Sequence, residues 1–236
     1  MVYVDLEMFP ATKIYRLPDD MSLKLGSLSE PLTSCVRAFN RAVSAGGFRV
    51  GDSVVIQGSG PIGVLALVTA QEMGAGRVIV VGAPEEPRLV LCRDYGAKAT
   101  VSIDDYKTPQ SRIDAVRGII GGFGADLVIE CTAQPRVWEE SLFFARPGGQ
   151  VILFGGCPQG TKVSLDATRL HYDQIRLSSP FHFNPAAVRQ ACEMLISGKI
   201  PTQHLISGRY PLTDLHQAFD RMQRGEGIKY EVVPAI

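Results

Sequence analysis

The chain has 236 residues, 45% hydrophobic and 20% charged, enough for one large domain or two small ones with a real core. Lys plus Arg and Asp plus Glu both total 24, so no basic surplus exists to neutralise a nucleic-acid backbone. No apolar run is long enough to span a bilayer and the first residues lack the pattern of a signal peptide, so the expected location is cytoplasmic, with neither membrane nor nucleic-acid partners.

Residues 1–20 combine a possible strand at Lys13–Leu17 with Pro10 and Pro18 and look like the end of something larger. From Leu32 to Ala45, Leu32, Val36, Phe39 and Val43 recur at helical spacing, and Gly46 and Gly47 close the helix. Val54 to Gln57 then reads as a buried strand that runs into Gly58-Ser59-Gly60-Pro61-Ile62-Gly63, followed by an apolar helix over Val64–Met73. A strand, a Gly-x-Gly-x-x-Gly turn and a helix in that order form the dinucleotide-binding pattern. Gly58 permits the tight turn, Gly60 lets the backbone approach a pyrophosphate, and Gly63 allows close helix packing. The helix contributes unpaired N–H groups and its positive dipole end, and Pro61 suits its first turn. A glycine turn at a strand–helix junction that binds nothing is the bland alternative.

The alternation continues with strands at Arg77–Val81, Ala99–Ser102, Asp126–Glu130, Gln150–Phe154 and Gln174–Ser178. Helices at Glu86–Tyr95, Ser111–Ile120 and Arg136–Ala145 separate them. Solid apolar strands alternating with helices predict an α/β fold, a doubly wound parallel (Rossmann) sheet of about six strands. Beyond Pro180 the rhythm changes to a helix at Ala186–Ile196, a strand at Leu205–Arg209, a helix at Leu212–Arg224 and a strand at Ile228–Val233. That run suggests a separate layer or a returning piece of another domain. On the helix Leu212–Arg224, Leu215, Ala218, Phe219 and Met222 share one face. The five cysteines are far apart in sequence and contain no Cys-x-x-Cys pair, so most are expected to be small buried hydrophobes.

An acidic residue about 20 positions after the glycine turn ordinarily bonds the ribose of NAD. Here that position is Ala83, in Gly82-Ala83-Pro84. Glu85 or Glu86 could substitute from the loop, Arg88 and the open space could take the 2′-phosphate of NADP, or both acids could simply open the next helix.

Several motifs resemble the medium-chain dehydrogenase/reductases, in particular the zinc-dependent alcohol and polyol dehydrogenases. They are Ser29-Glu30-Pro31-Leu32, the glycine turn, Gly124 to Thr132, Arg146-Pro147-Gly148-Gly149, His171-Tyr172, Phe181-His182 and Gly225-Glu226-Gly227-Ile228-Lys229. The resemblance implies hydride transfer between an alcohol or polyol and NAD or NADP, with a slight lean to NAD, in a homo-oligomer (dimer or tetramer) paired through the strand Gln174–Ser178. It also implies that residues 1–43 and 184–236 are remnants of a GroES-like catalytic domain around a cofactor domain at 44–183. On that mapping the main zinc ligands lie upstream of Met1. Glu30 alone occupies a metal-partner position, where a solvated residue before proline is the plainer reading. Loss of the rest of the catalytic domain should bare apolar surface on the helix at 32–45.

By the same resemblance Cys131 and Thr132 would flank the adenosine, Phe154 and Gly155 the nicotinamide, with Gly156 beside them. Phe181 and His182 would run along the nicotinamide ring, and Lys229 would sit near the pyrophosphate. Sheet packing, a turn, a structural histidine and a solvated lysine are the respective alternatives. A dinucleotide-binding module without catalysis and a zinc-free quinone or enone reductase remain open as functions.

Overall fold

A computed structural model describes residues 15–234. Six parallel strands form one sheet: β1 (Ser53–Gln57), β2 (Arg77–Gly82), β3 (Ala99–Ser102), β4 (Ala125–Glu130), β5 (Ala145–Leu153) and β6 (Arg176–Ser178). Their spatial order is β3-β2-β1-β4-β5-β6, so the chain reverses direction of winding between β1 and β4, as in the doubly wound fold. β1, β2, β4 and the second half of β5 are buried almost throughout because helices cover both faces.

Alternation along each strand divides the core in two. Val54 and Ile56 of β1, Val78 and Val80 of β2, and Leu127 and Ile129 of β4 face a cluster with helices α2 (Ser29–Ser44), α3 (Pro61–Glu72) and α8 (Pro185–Ile196). Val55, Ile79, Val128 and Val151 face the other side, with α5 (Pro109–Ile120) and α6 (Pro135–Phe144). α3 is apolar around nearly its whole circumference, with every residue from Gly63 to Ala70 buried, as a helix wedged between other elements requires. α5 opens with a capping box in which Thr108 Oγ1 accepts from Ser111 N–H at 3.1 Å.

Pairing of β7 (Ile206–Pro211) with β8 (Lys229–Val233) makes a separate two-stranded parallel sheet. Between them lie a 3₁₀ turn at Leu212–Asp214 and α9 (Leu215–Gln223). Three further short helices are α1 (Leu23–Gly26), α4 (Val90–Asp94) and α7 (Ala167–Tyr172).

Several expectations change. Lys13 and Ile14 lie outside the described residues, and Tyr15 to Leu17 form no strand. The helix expected at Leu32 begins at Ser29, taking in Glu30 and Pro31, because proline fits a first helical turn. The helix expected from Glu86 is broken. Glu86 takes extended angles, φ −101° and ψ 133°, as a residue before proline prefers, and regular α-helix starts only at Val90. The sixth strand starts at Arg176, after Gln174 turns into positive φ.

The apolar stripe of α2 is not bared. Leu32, Val36 and Phe39 are fully buried against neighbouring helices, and only Val43 is exposed. Exposed apolar side chains stand elsewhere: Phe219 and Met222 on α9 reach 55% and 39% exposure, so of the face expected there only Ala218 is buried.

Candidate functional site

A cavity of about 650 Å³ opens at the carboxyl ends of β1, β2, β3 and β4. This is where a doubly wound sheet is expected to hold a ligand, beside the strand pair at which the winding reverses. Its walls include Gly58, Ser59 and Gly60 after β1, Gly82 and Ala83 at the end of β2, and Cys131 and Thr132 after β4.

The glycine turn has the geometry its sequence suggests. Gly58 adopts φ +113°, a region costly for any residue with a Cβ. A Cβ on Gly63 would lie 1.8 Å from the carbonyl oxygen of Gly58, so only glycine lets α3 approach β1 this closely. A Cβ on Gly60 would meet nothing within 4 Å, which leaves clear space beside that backbone. α3 has no side-chain cap, and Val64 N–H donating to Gly60 O at 3.0 Å is its first internal bond. The amides of Ile62 and Gly63, ahead of Val64, therefore have no partner within the helix. Gly58 is itself tied to the sheet by donating to Val81 O at 2.8 Å.

Beyond β4 the wall is built on a buried carboxyl. Glu130, fully buried, accepts from the Thr132 amide at 2.5 Å and from the Thr132 hydroxyl, while its Oε2 has no partner among the described residues. Burial pushes its pKa above the ordinary carboxylate range, and the bonds from Thr132 only partly oppose that. Burial also raises the Cys131 thiol well above its usual value, so this side chain lines the cavity as a neutral, unreactive group. On the far side, Arg112 and Glu140 form a two-pronged ion pair with bonds of 2.8 and 2.6 Å, its side chains only 13% and 6% exposed.

Six of the residues singled out in the sequence meet at this cavity: Gly58, Gly60, Ala83, Arg88, Cys131 and Thr132. Pro61, Ile62 and Gly63 form the first turn of α3 immediately behind it. Phe154 is half-buried against the core, and Gly155 donates to Glu130 O and accepts from Trp138 Nε1 at 3.0 Å, away from the cavity wall. Phe181 is 84% exposed with its ring against His182, and neither lines the cavity. Lys229 opens β8 and is half-buried outside the cavity, although the loop before it touches the site through Arg88 Nε, which donates to Gly227 O at 3.4 Å. Glu30 is exposed in the first turn of α2. Among the described residues no group of three His, Cys, Asp or Glu side chains is placed to hold a metal ion. The described residues thus suit a dinucleotide and, among themselves, form no zinc centre.

Reading by motif missed the rest of the wall, notably Ser59, Asp104, Lys107, Arg112, Arg136 and Glu140. A positional signal could have found some of them: Asp104 follows β3 and Arg136 lies in the first turn of the helix after β4, and residues just past strand ends are the ones such a sheet offers to a ligand.

The sheet order, the glycine turn and the cavity at the strand ends together define a Rossmann-type α/β fold. Residues 61–197 match the family model described as zinc-binding dehydrogenase, and the chain belongs to that family. Among curated proteins it is 31% identical over 220 residues to sorbitol dehydrogenase of Gallus gallus, covering 93% of this chain and 59% of that protein. It is 32% identical over 212 residues to a putative D-xylulose reductase of Rhizobium meliloti (strain 1021), covering 90% and 58% respectively. Among solved structures, a putative zinc-binding dehydrogenase from Sinorhizobium meliloti 1021 bound to NADP matches with TM-score 0.77 and 28% identity, over 93% of this chain and 62% of that one. A zinc-binding-domain alcohol dehydrogenase from Burkholderia ambifaria shares the fold with TM-score 0.84 at 23% identity, over 95% and 59%. The chain therefore spans about three fifths of the curated relatives it matches.

Proposed function

We propose that this chain is the dinucleotide-binding part of an NAD(P)-dependent alcohol or polyol dehydrogenase. The observation that carries the reading is the glycine turn, with clear space beside Gly60 and uncapped amides at the start of α3, opening on the cavity at the strand ends. The amides of that turn would hold the pyrophosphate, and Ala83, Arg88, Cys131 and Thr132 would surround the adenosine half. Phe154, Gly155, Phe181 and Lys229 are assigned to the nicotinamide and pyrophosphate side through family likeness. When bound, the nicotinamide supplies the hydride acceptor or donor. The protein's own part is to bind, orient and exclude water. Residues 44–183 would form the cofactor domain, with 1–43 and 184–236 belonging to the catalytic domain.

Calorimetric titration of the purified chain with NAD and NADP tests the reading. Saturable binding of at least one is expected, and absence of heat with both, on folded protein, refutes it. A second reading, cofactor binding without turnover by this chain alone, is supported by Glu30 standing exposed on α2 and, among the described residues, belonging to no group of three His, Cys, Asp or Glu side chains that could hold a metal ion. Oxidation of short alcohols or polyols above background, with added zinc, would eliminate it. We further infer pairing of two copies through β6, whose outer edge has no strand neighbour among the described residues. Light scattering should report a dimer or tetramer, and a monodisperse monomer would refute the pairing.

A further inference from the structure

We propose that the adenosine end of the cavity is built for the 2′-phosphate of NADP and discriminates against NAD, with Arg88 and Lys107 as the selecting residues. The proposal rests on the dinucleotide reading above and concerns which dinucleotide that site takes. In this architecture an acidic side chain closing the second strand accepts a hydrogen bond from the ribose 2′-hydroxyl and would repel a phosphate there. β2 ends instead in Gly82 and Ala83, and the Ala83 carbonyl is already engaged by Ser59 Oγ, which donates to it at 2.8 Å. Neither nearby acid takes the vacant role. Glu85 is held in an ion pair by Arg93, a residue that also donates to Thr100 Oγ1, and neither Glu85 nor Glu86 forms part of the cavity wall.

Cations line the same cavity. Arg88 lines the cavity, and only its Nε is used, toward Gly227 O, so among the described residues its two terminal nitrogens have no partner. Lys107 and Arg136 also line the wall, and neither is in an ion pair among the described residues. Arg112 is neutralised by Glu140 and adds nothing. The opposing carboxylate is Asp104, just after β3, whose last residue pairs with Gly82. A phosphomonoester carrying about two negative charges matches this excess of unpaired cations, whereas a bare 2′-hydroxyl leaves those cations unused.

Charged hydrogen bonds of this kind correspond to about tenfold to a hundredfold in affinity. Calorimetry on the intact chain should therefore show NADP binding at least about tenfold more tightly than NAD. Arg88→Ala should close most of that gap, and Arg88→Ala with Lys107→Ala should abolish it, both with unchanged circular dichroism. Ala83→Asp, which leaves every cation in place, should reverse the preference. NAD binding as tightly as NADP, or more tightly, overturns the proposal. So does NAD binding that collapses in Asp104→Asn, since Asp104 would then be the ribose partner. A preference for NADP undiminished in the double variant overturns the assignment to Arg88 and Lys107. If neither dinucleotide binds, the reading of the site itself fails, a result distinct from binding without preference.

Discussion

Substituting two glycines of the same turn should separate what holds the fold from what holds the ligand. In Gly63→Ala the new Cβ would lie 1.8 Å from Gly58 O and 2.8 Å from Gly58 C, where ordinary contacts begin at 3.4 Å. Relief demands that α3 and β1 separate by well over an ångström. α3 cannot slide, because its residues from Gly63 to Ala70 are buried on every side. Overpacking of this kind costs about 1 to 3 kcal/mol where side chains can yield, and a clash with backbone belongs at the upper end or beyond. Gly60→Ala is the opposite case. Gly60 sits at φ −76°, open to any residue, and its Cβ would touch nothing. Its stability should change by no more than about 1 kcal/mol, a helix cap lost against chain entropy gained. Its methyl group would nevertheless occupy the space beside the backbone, lowering dinucleotide affinity by about tenfold or more, or 1.4 kcal/mol. Urea denaturation reads the first effect and calorimetry the second. Gly63→Ala unfolding at the wild-type midpoint would refute the packing argument. Gly60→Ala binding at wild-type affinity would show that the pyrophosphate does not rest there.

Asp126 accepts from the Ser53 amide at 2.8 Å, the Ser53 hydroxyl at 2.6 Å and Arg146 at 2.6 Å, tying β4 to the start of β1. Burial alone would raise its pKa, but these bonds outweigh that and hold it below the usual value of 3.8. Its stabilisation is therefore present above that value and lost as pH falls through the lower folded pKa; Asp126→Asn should flatten the acid limb of a melting-temperature profile. Glu130 has the opposite sign. With its folded pKa raised above 4.5, stability is full below that value and falls as pH climbs through the folded pKa. Glu130→Gln should remove that decline and melt no lower than wild type at pH 7; a steeper decline would contradict it. Glu140→Ala leaves the half-buried Arg112 guanidinium, which lines the open cavity and still donates to Tyr106 O, without its carboxylate and should cost about 1 to 3 kcal/mol by denaturation, with much of the loss recovered in Glu140→Leu combined with Arg112→Met.

The sheet was legible because its strands are solid apolar runs separated by glycine-marked turns, and the glycine motif pointed to the end of the sheet where the cavity opens. Helix onsets were less legible where proline decides them. Pro31 draws Glu30 into α2, whereas Pro87 holds Glu86 extended and delays α4. The fate of the α2 stripe was not legible at all, since Leu32, Val36 and Phe39 look equally apolar whether a helix covers them or not. What covers them comes from α3 and, far along the chain, from α8. Of the cavity's cations Arg88 was legible, while Lys107 and Arg136 were missed for a related reason: they follow different strands and reach the same cavity only when β3 and β4 lie in their spatial order.

The packing of α2 against α8 has a consequence for how the molecule is made. Asn40 donates to Gln190 Oε1 at 3.0 Å across 150 positions of sequence, and the helices around that bond bury each other's apolar faces. During synthesis α2 emerges first and has nothing from α8 to rest on until nearly the whole sheet has left the ribosome. Nascent chains stalled before residue 185 should bind hydrophobic dyes and recruit chaperones, and synthesis through α8 should end both within one folding event.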